Sequence, residues 1–212
     1  MKDSRPGSKK GCGCVVAILC FLLLIIFVFV FYFRLHVPVL VEETFEGGDT
    51  GWIVVGDAQG ESDKPTYKTE GGNPGAYMSA VDNAVGGVWF WSAPEPFRRQ
   101  LTSTWKEKGS LRSVLMFDLK QSDITEPFDD KDVILGSGDL ELHFFHDLDP
   151  GTDWTNYRVP LSPDKGWING ATGEPATREE MTKVISQLEK LWIRGEFRTG
   201  EDTGGIDNIR VR

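Results

Sequence analysis

The sequence predicts an all-β domain, a two-sheet antiparallel sandwich with one flanking α-helix, carried behind an N-terminal transmembrane helix. Three observations predict it. Short segments that alternate apolar and polar residues are separated by Gly, Pro, Asp and Asn clusters. A single capped helical stripe stands among them. Near the N-terminus, 19 apolar residues follow one another without a charge.

That run, Val15 to Phe33, reads VVAILCFLLLIIFVFVFYF. At about 1.5 Å per residue it is roughly 28 Å long as a helix, close to a bilayer's hydrocarbon thickness. A cleaved signal peptide is the rival, but its apolar part is shorter and ends at a small-x-small site. Phe31-Tyr32-Phe33-Arg34 offers no such site. Residues 1–14 form a basic tail with Lys2, Arg5, Lys9 and Lys10, and only Arg34 closely follows the run. The positive-inside rule therefore places the N-terminus in the cytoplasm and the domain on the extracytoplasmic side, extracellular or periplasmic. Tyr32 and Phe33 fall where an interfacial aromatic belt forms. Cys12 and Cys14 lie at the cytoplasmic edge, where they are either acylation sites or small tolerated residues. Residues 34–41 are a short linker in which Pro38 discourages continuation of the helix.

Residues 42–212 form the sandwich. Leu111, Leu115, Phe117 and Leu119 share one face of a strand, and Leu140, Leu142 and Phe144 alternate with Glu141 and His143. Leu191, Ile193 and Phe197 alternate with Trp192, Arg194, Glu196 and Arg198. Val88 to Trp91 is apolar on both faces, as a central strand would be. Val41 to Phe45, Gly75 to Val81, Asn156 to Leu161 and Gly205 to Val211 bring the expected count to about eight or nine strands. Thr177-Arg178-Glu179-Glu180 is a capping box, and Met181, Val184, Ile185 and Leu188 follow at i, i+3, i+4 and i+7. That stripe has to pack against the sheet.

Charge and cysteine usage exclude several classes. Residues 35–212 hold 18 basic and 31 acidic residues, a net charge of −13. Such a surface repels phosphate backbones, so no nucleic acid is expected as a partner, while cations are compatible with it. All three cysteines, Cys12, Cys14 and Cys20, lie in or beside the apolar run, so the domain holds no disulfide. Catalysis finds no foothold, since there is no Gly-x-Ser-x-Gly elbow, phosphate loop or domain cysteine. The expectation is a non-enzymatic protein.

Trp89-Phe90-Trp91-Ser92-Ala93-Pro94-Glu95-Pro96-Phe97 runs from an aromatic-rich strand into an Ala-Pro-x-x-Phe segment. Trp167, then Ala176-Thr177 opening a helix, then Leu188 to Arg194 with an Ile-Arg pair, form a second stretch, and Gly205 to Val211 closes the chain. In these features the domain resembles the laminin domain IV module, also called laminin B, over most of residues 44–212. The resemblance implies a jelly-roll sandwich and an extracellular, structural setting. The cysteine-rich repeats that flank the module in laminins are absent here, which puts a matrix role in doubt. Phe45-Glu46-Gly47-Gly48-Asp49-Thr50-Gly51-Trp52 and Ile206-Asp207-Asn208 further resemble the paired terminal strands of carbohydrate-binding jelly rolls. Those modules often hold a structural calcium ion, which would fall here on Glu46, Asp49 and Asp207. Asp49 and Asp207 read equally well as ordinary turn residues.

Exposed aromatics can stack on sugar rings while nearby acids accept hydroxyl hydrogen bonds. Trp154, Tyr157 and Trp167, in or near polar loops, are the candidates, and the competing reading has them plugging the ends of the core. Trp105 and Trp192 read as packing residues. His143 and His146 are three apart on a strand and face opposite sides, so they make no metal pair. Asp147 to Asp153 is a solvated acidic loop without EF-hand spacing. The expected function is a single-pass, membrane-anchored binding or adhesion module that recognises a glycan or matrix polymer. The alternatives are a scaffold contacting other envelope proteins and, third, a hydrolase using two carboxylates.

Overall fold

The computed structural model describes residues 20–27, 39–56, 64–82, 86–108 and 110–212. The chain divides into two compact units, Met1–Pro38 and Val39–Arg212. In the first, residues 20–27 are helical (α1) with exposed side chains. The remainder of the expected span at residues 15–33, the tail with Cys12 and Cys14, and linker residues 34–38 lie outside the described residues. Among the described residues no helix is long and apolar enough to cross a membrane.

The second unit is a sandwich of two antiparallel sheets. Its strands are β1 (Val41–Glu43), β2 (Ile53–Gly56), β3 (Thr66–Gly72), β4 (Gly75–Asp82), β5 (Trp89–Ser92), β6 (Val114–Lys120), β7 (Val133–Ser137), β8 (Leu140–Phe144), β9 (Thr155–Pro160), β10 (Ile168–Asn169), β11 (Lys190–Arg194) and β12 (Asp202–Val211). The first sheet runs β3-β4-β12-β6-β9, with β1 also on β12; the second runs β10-β8-β7-β11-β5-β2. Leu115, Phe117 and Leu119 of β6 and Tyr157 and Val159 of β9 face the core; β9 exposes its alternate residues, whereas on β6 Met116 and Asp118 of the other face are covered as well.

β12 is the pivot of the first sheet. Its first half pairs with β4, from Asp202↔Asp82 to Ile206↔Met78, and its last residues pair with β1, from Ile209↔Glu43 to Val211↔Val41. A bulge between Asp207 and Arg210 separates the halves, with Asn208 in the left-handed region at φ 52°. The extra residue resets the alternation, so Gly204 and Ile206 before it and Ile209 and Val211 after it are all buried. One strand thereby serves two partners without turning its apolar side to water.

Two helices close the sandwich where one flanking helix was expected. α2 (Glu95–Lys108) buries Phe97, Leu101 and Trp105, and α3 (Arg178–Ser186) buries Met181, Val184 and Ile185. The capping box is formed: Glu180 N–H donates to Thr177 Oγ1 at 3.2 Å, and Thr177 N–H donates to Glu180 Oε2 at 2.7 Å. α3 packs on β7 and β8, and α2 packs on α3 and β1. The apolar residues of α2 are spaced strictly by four in an otherwise polar stretch, a thin stripe that reads as a connection until a partner surface is present. β2, β3, β7 and the two-residue β10 also exceed the sequence expectation. β3 is a largely exposed edge strand, and every residue of β7 is buried, so neither alternates.

Candidate functional site

The outer face of the first sheet carries the polar and aromatic side chains that the core rejects. Pairing of Lys68 with Tyr77, Gly205 with Lys120, Asp207 with Asp118, and Asp118 with Asn156 lines these residues up across β3, β4, β12, β6 and β9. Trp154, just before β9, meets Tyr77 edge to face, with ring centroids 5.3 Å apart. The Lys120 ammonium lies 4.2 Å from the Tyr77 ring and 4.4 Å from the Trp154 ring. Lys120 Nζ and Trp154 Nε1 both donate to the Gly71 carbonyl at 3.0 Å. Gly205 makes room for this group, since a Cβ there would stand 3.1 Å from the Lys120 side chain and 3.2 Å from the Trp154 ring. The result is a half-exposed aromatic platform whose cation is already held.

Beside it lies an amide network centred on Asp118, which is 3% exposed. Its Oδ2 accepts from Asn73 Nδ2 at 3.0 Å and Asn208 Nδ2 at 2.8 Å, and its Oδ1 accepts from Asn156 Nδ2 at 2.7 Å. A carboxylate only accepts, so it turns all three amides with their NH2 groups inward. The amide carbonyl oxygens are thereby directed away from Asp118, and Asn73 and Asn156 are exposed. Hydroxyl groups of a ligand can donate to such fixed acceptors.

The three acids expected to hold calcium are placed as follows. Asp207 Oδ2 accepts from Asn73 N–H at 2.6 Å and its Oδ1 from Asn208 N–H at 2.7 Å. Glu46 Oε1 accepts from Ala76 N–H at 2.9 Å. These two acids grip the β3–β4 turn from either side. Asp49 stands apart and accepts from Gly51 N–H at 2.9 Å in its own exposed turn. Burial raises the Asp207 carboxyl to about 6; the Asp118 and Glu46 charges add to the rise, and the two backbone donors partly offset it. Among the described residues no group of three or more His, Cys, Asp or Glu could hold a metal ion. Asp207 has both oxygens engaged by backbone N–H donors, Glu46 and Asp49 have one each, and Asp49 is not gathered with the other two, so the three acids do not form one ligand set as they are arranged.

Of the three aromatic candidates, only Trp154 is on the outer face. Tyr157 is 5% exposed, stacks on Phe117 at 5.4 Å and donates its hydroxyl to the Leu148 carbonyl at 3.0 Å. Trp167 is 1% exposed, packs on Phe144 at 5.2 Å and donates Nε1–H to the Pro160 carbonyl at 2.7 Å. Both are core residues, out of reach of a surface ligand. Tyr157 has odd-position parity with Val159 in β9, which put it on the inner face. Tyr77, Lys120, Asp118, Asn73, Asn156 and Asn208 were missed. Their signal was the polar side of alternating strands whose apolar side was read correctly.

A second polar cluster is internal. Asp82 and Asp202 are cross-strand partners, and both are buried with Glu196. Burial and the adjacent, hydrogen-bonded Asp82 raise Glu196 to about 7. Ser122 N–H donates to Asp202 Oδ1 at 2.9 Å. His146 is half-buried between the rings of Phe117, Phe144 and Tyr157, and this desolvation lowers its pKa to about 4. His143 instead contacts Glu141 at 3.2 Å.

Comparison with known proteins matches residues 90–212 to the family model described as Laminin B (Domain IV). The L4b domain of human laminin alpha-2 shares the fold, with a TM-score of 0.58 at 11% identity, over 82% of this chain and 98% of that one. The family 11 carbohydrate-binding module of the cellulosomal cellulase Lic26A-Cel5E of Clostridium thermocellum gives 0.49 at 16% identity, over 82% and 95%. No curated protein matches the sequence.

Proposed function

The chain belongs to the laminin B (domain IV) family, and we propose that it is a membrane-anchored binding module whose outer sheet face takes a hydroxyl-rich polymer, a glycan of the cell envelope or matrix. The observation that carries this reading is the Trp154–Tyr77–Lys120 platform beside three oriented asparagine carbonyls. An aromatic face buries the apolar side of a sugar ring, and fixed acceptors read its hydroxyls. Residues 15–33 anchor the module, with the N-terminus cytoplasmic and the domain extracytoplasmic; this rests on the length of the apolar run and the charge on its flanks.

The test is binding of the protein to a broad polysaccharide array, with Trp154→Ala and Asn156→Ala alongside. Saturable binding that both variants weaken supports the reading. A folded protein that binds no polysaccharide overturns it and leaves a scaffold that contacts other envelope proteins. Resistance to alkaline extraction from membranes tests the anchor.

A further inference from the structure

The basic side chains of this acidic domain are not spread evenly. Leu40 N–H donates to the Val211 carbonyl, Val114 and Arg212 exchange both backbone hydrogen bonds, and Leu161 N–H donates to the Ser113 carbonyl. These bonds bring Leu40, Ser113, Val114, Leu161, Val211 and Arg212 to one end of the sandwich; the end of α2 and residues 110–112 lead into Ser113, and residues 162–167 follow Leu161. Side chains there include Lys106, Lys108, Arg112, Lys165 and Arg212 against Glu107 and Asp164, a net charge of +3. The rest of residues 35–212 holds 13 basic and 29 acidic residues, a net charge of −16. Lys106, Lys108, Arg112, Lys165 and Arg212 are all exposed. Of these five, Lys165 alone has an ion pair among the described residues, with Asp164 at 3.8 Å. Val39, at 41% exposed, adds an apolar side chain to the same end.

We propose that this end is a docking surface for an anionic lipid bilayer, on which the domain stands upright. The inference rests on the anchored reading above. If residues 15–33 span, the chain from Phe33 to Leu40 reaches at most roughly 25 Å, so Leu40 and the basic residues around it stay near the headgroups. Anionic headgroups in the leaflet that the domain faces attract this end and repel the acidic remainder, and that opposition fixes orientation as well as contact. Lys120 is six residues along β6 from Val114, roughly 20 Å farther from this end. The aromatic platform is then held clear of the surface, open to a polymer.

The experiment places the full chain in nanodiscs of phosphatidylcholine alone or with phosphatidylglycerol and follows deuterium uptake. The expected result is uptake slowed several-fold in peptides covering residues 95–113 and 160–167 only when phosphatidylglycerol is present. At 0.5 M salt the screening length falls to roughly 4 Å and the slowing disappears. The triple variant Lys106→Glu, Lys108→Glu, Arg112→Glu also abolishes it; all three side chains are exposed, so the fold is retained. Equal uptake in both lipids, or slowing that survives the triple variant, overturns the proposal. Insertion, scored by alkaline extraction, reports separately on the anchor. If the chain does not insert, preformed nanodiscs of the same two compositions are added to the free chain, and equal uptake there also overturns the proposal.

Discussion

Asp118 and Asp207 face each other in register across β6 and β12, and one residue, Asn73, serves both, giving its side-chain amide to Asp118 at 3.0 Å and its backbone N–H to Asp207 at 2.6 Å. Two neighbouring carboxylates are tolerated because amide donors surround them. Removing Asp118 takes the shared acceptor from three amides at once. Asp118→Ala is expected to cost about 1–3 kcal/mol in urea unfolding, since it removes hydrogen bonds to a buried charged acceptor. The same variant removes a like charge beside Asp207, so the Asp207 carboxyl should titrate lower, as carbon-detected NMR would show.

Trp154 and Trp167 give opposite outcomes. Trp154→Ala removes an outer-face ring, leaving the melting temperature close to that of the parent while polysaccharide affinity falls about tenfold or more. Trp167→Ala empties a site in the core and is expected to cost about 3–5 kcal/mol, measured by chemical denaturation.

Stability should rise on mild acidification. Glu196 is raised from 4.5 to about 7 and Asp207 from 3.8 to about 6, so between those limits the folded chain binds protons that the unfolded chain has released. Their contribution is full below the unfolded values and is lost as pH climbs through the folded ones. His146, lowered from 6.5 to about 4, opposes this as pH falls below 6.5, but the two acids outweigh it. The melting temperature is therefore expected to be higher at about pH 5 than at about pH 8, by a few degrees. Glu196→Gln should remove much of that difference; an unchanged profile would contradict the buried-acid account.

Gly195 is fixed by its neighbour. A Cβ at this position would overlap the Trp89 ring, which is itself 1% exposed and cannot withdraw. Gly195→Ala is expected to destabilise by about 1–3 kcal/mol through overpacking, read from the denaturation midpoint.

Calcium addition is expected to leave the melting temperature of the protein unchanged. Glu46 and Asp207 already hold the β3–β4 turn, and Asp49 is bound to Gly51. A calcium-dependent rise would show that the ion displaces those donors and would restore the site expected from the terminal strands.

Sequence by itself determined the elements that state their partner locally. The capping box at Thr177 and the stripe through Ile185 need only their own helix, and Leu115, Phe117 and Leu119 need only a period of two. The resemblance through Trp89 to Phe97 carried the family for the same reason, being a contiguous run. Tertiary structure decided everything that depended on a register between distant segments. Asn73, Asp118, Asn156 and Asn208 are unremarkable residues until β4, β12, β6 and β9 lie side by side. Asn208 reaches Asp118 only because a bulge turns β12 at that point. The separation of Trp154 from Tyr157 and Trp167 was likewise a matter of which face each strand or loop presents, and a one-residue change of parity reverses it. Five basic residues drawn from three separate segments become one surface only when β1, β6 and β12 end together. A hydrophobic pattern is written along the chain, whereas a binding face is assembled across it, by hydrogen bonds between residues far apart in sequence.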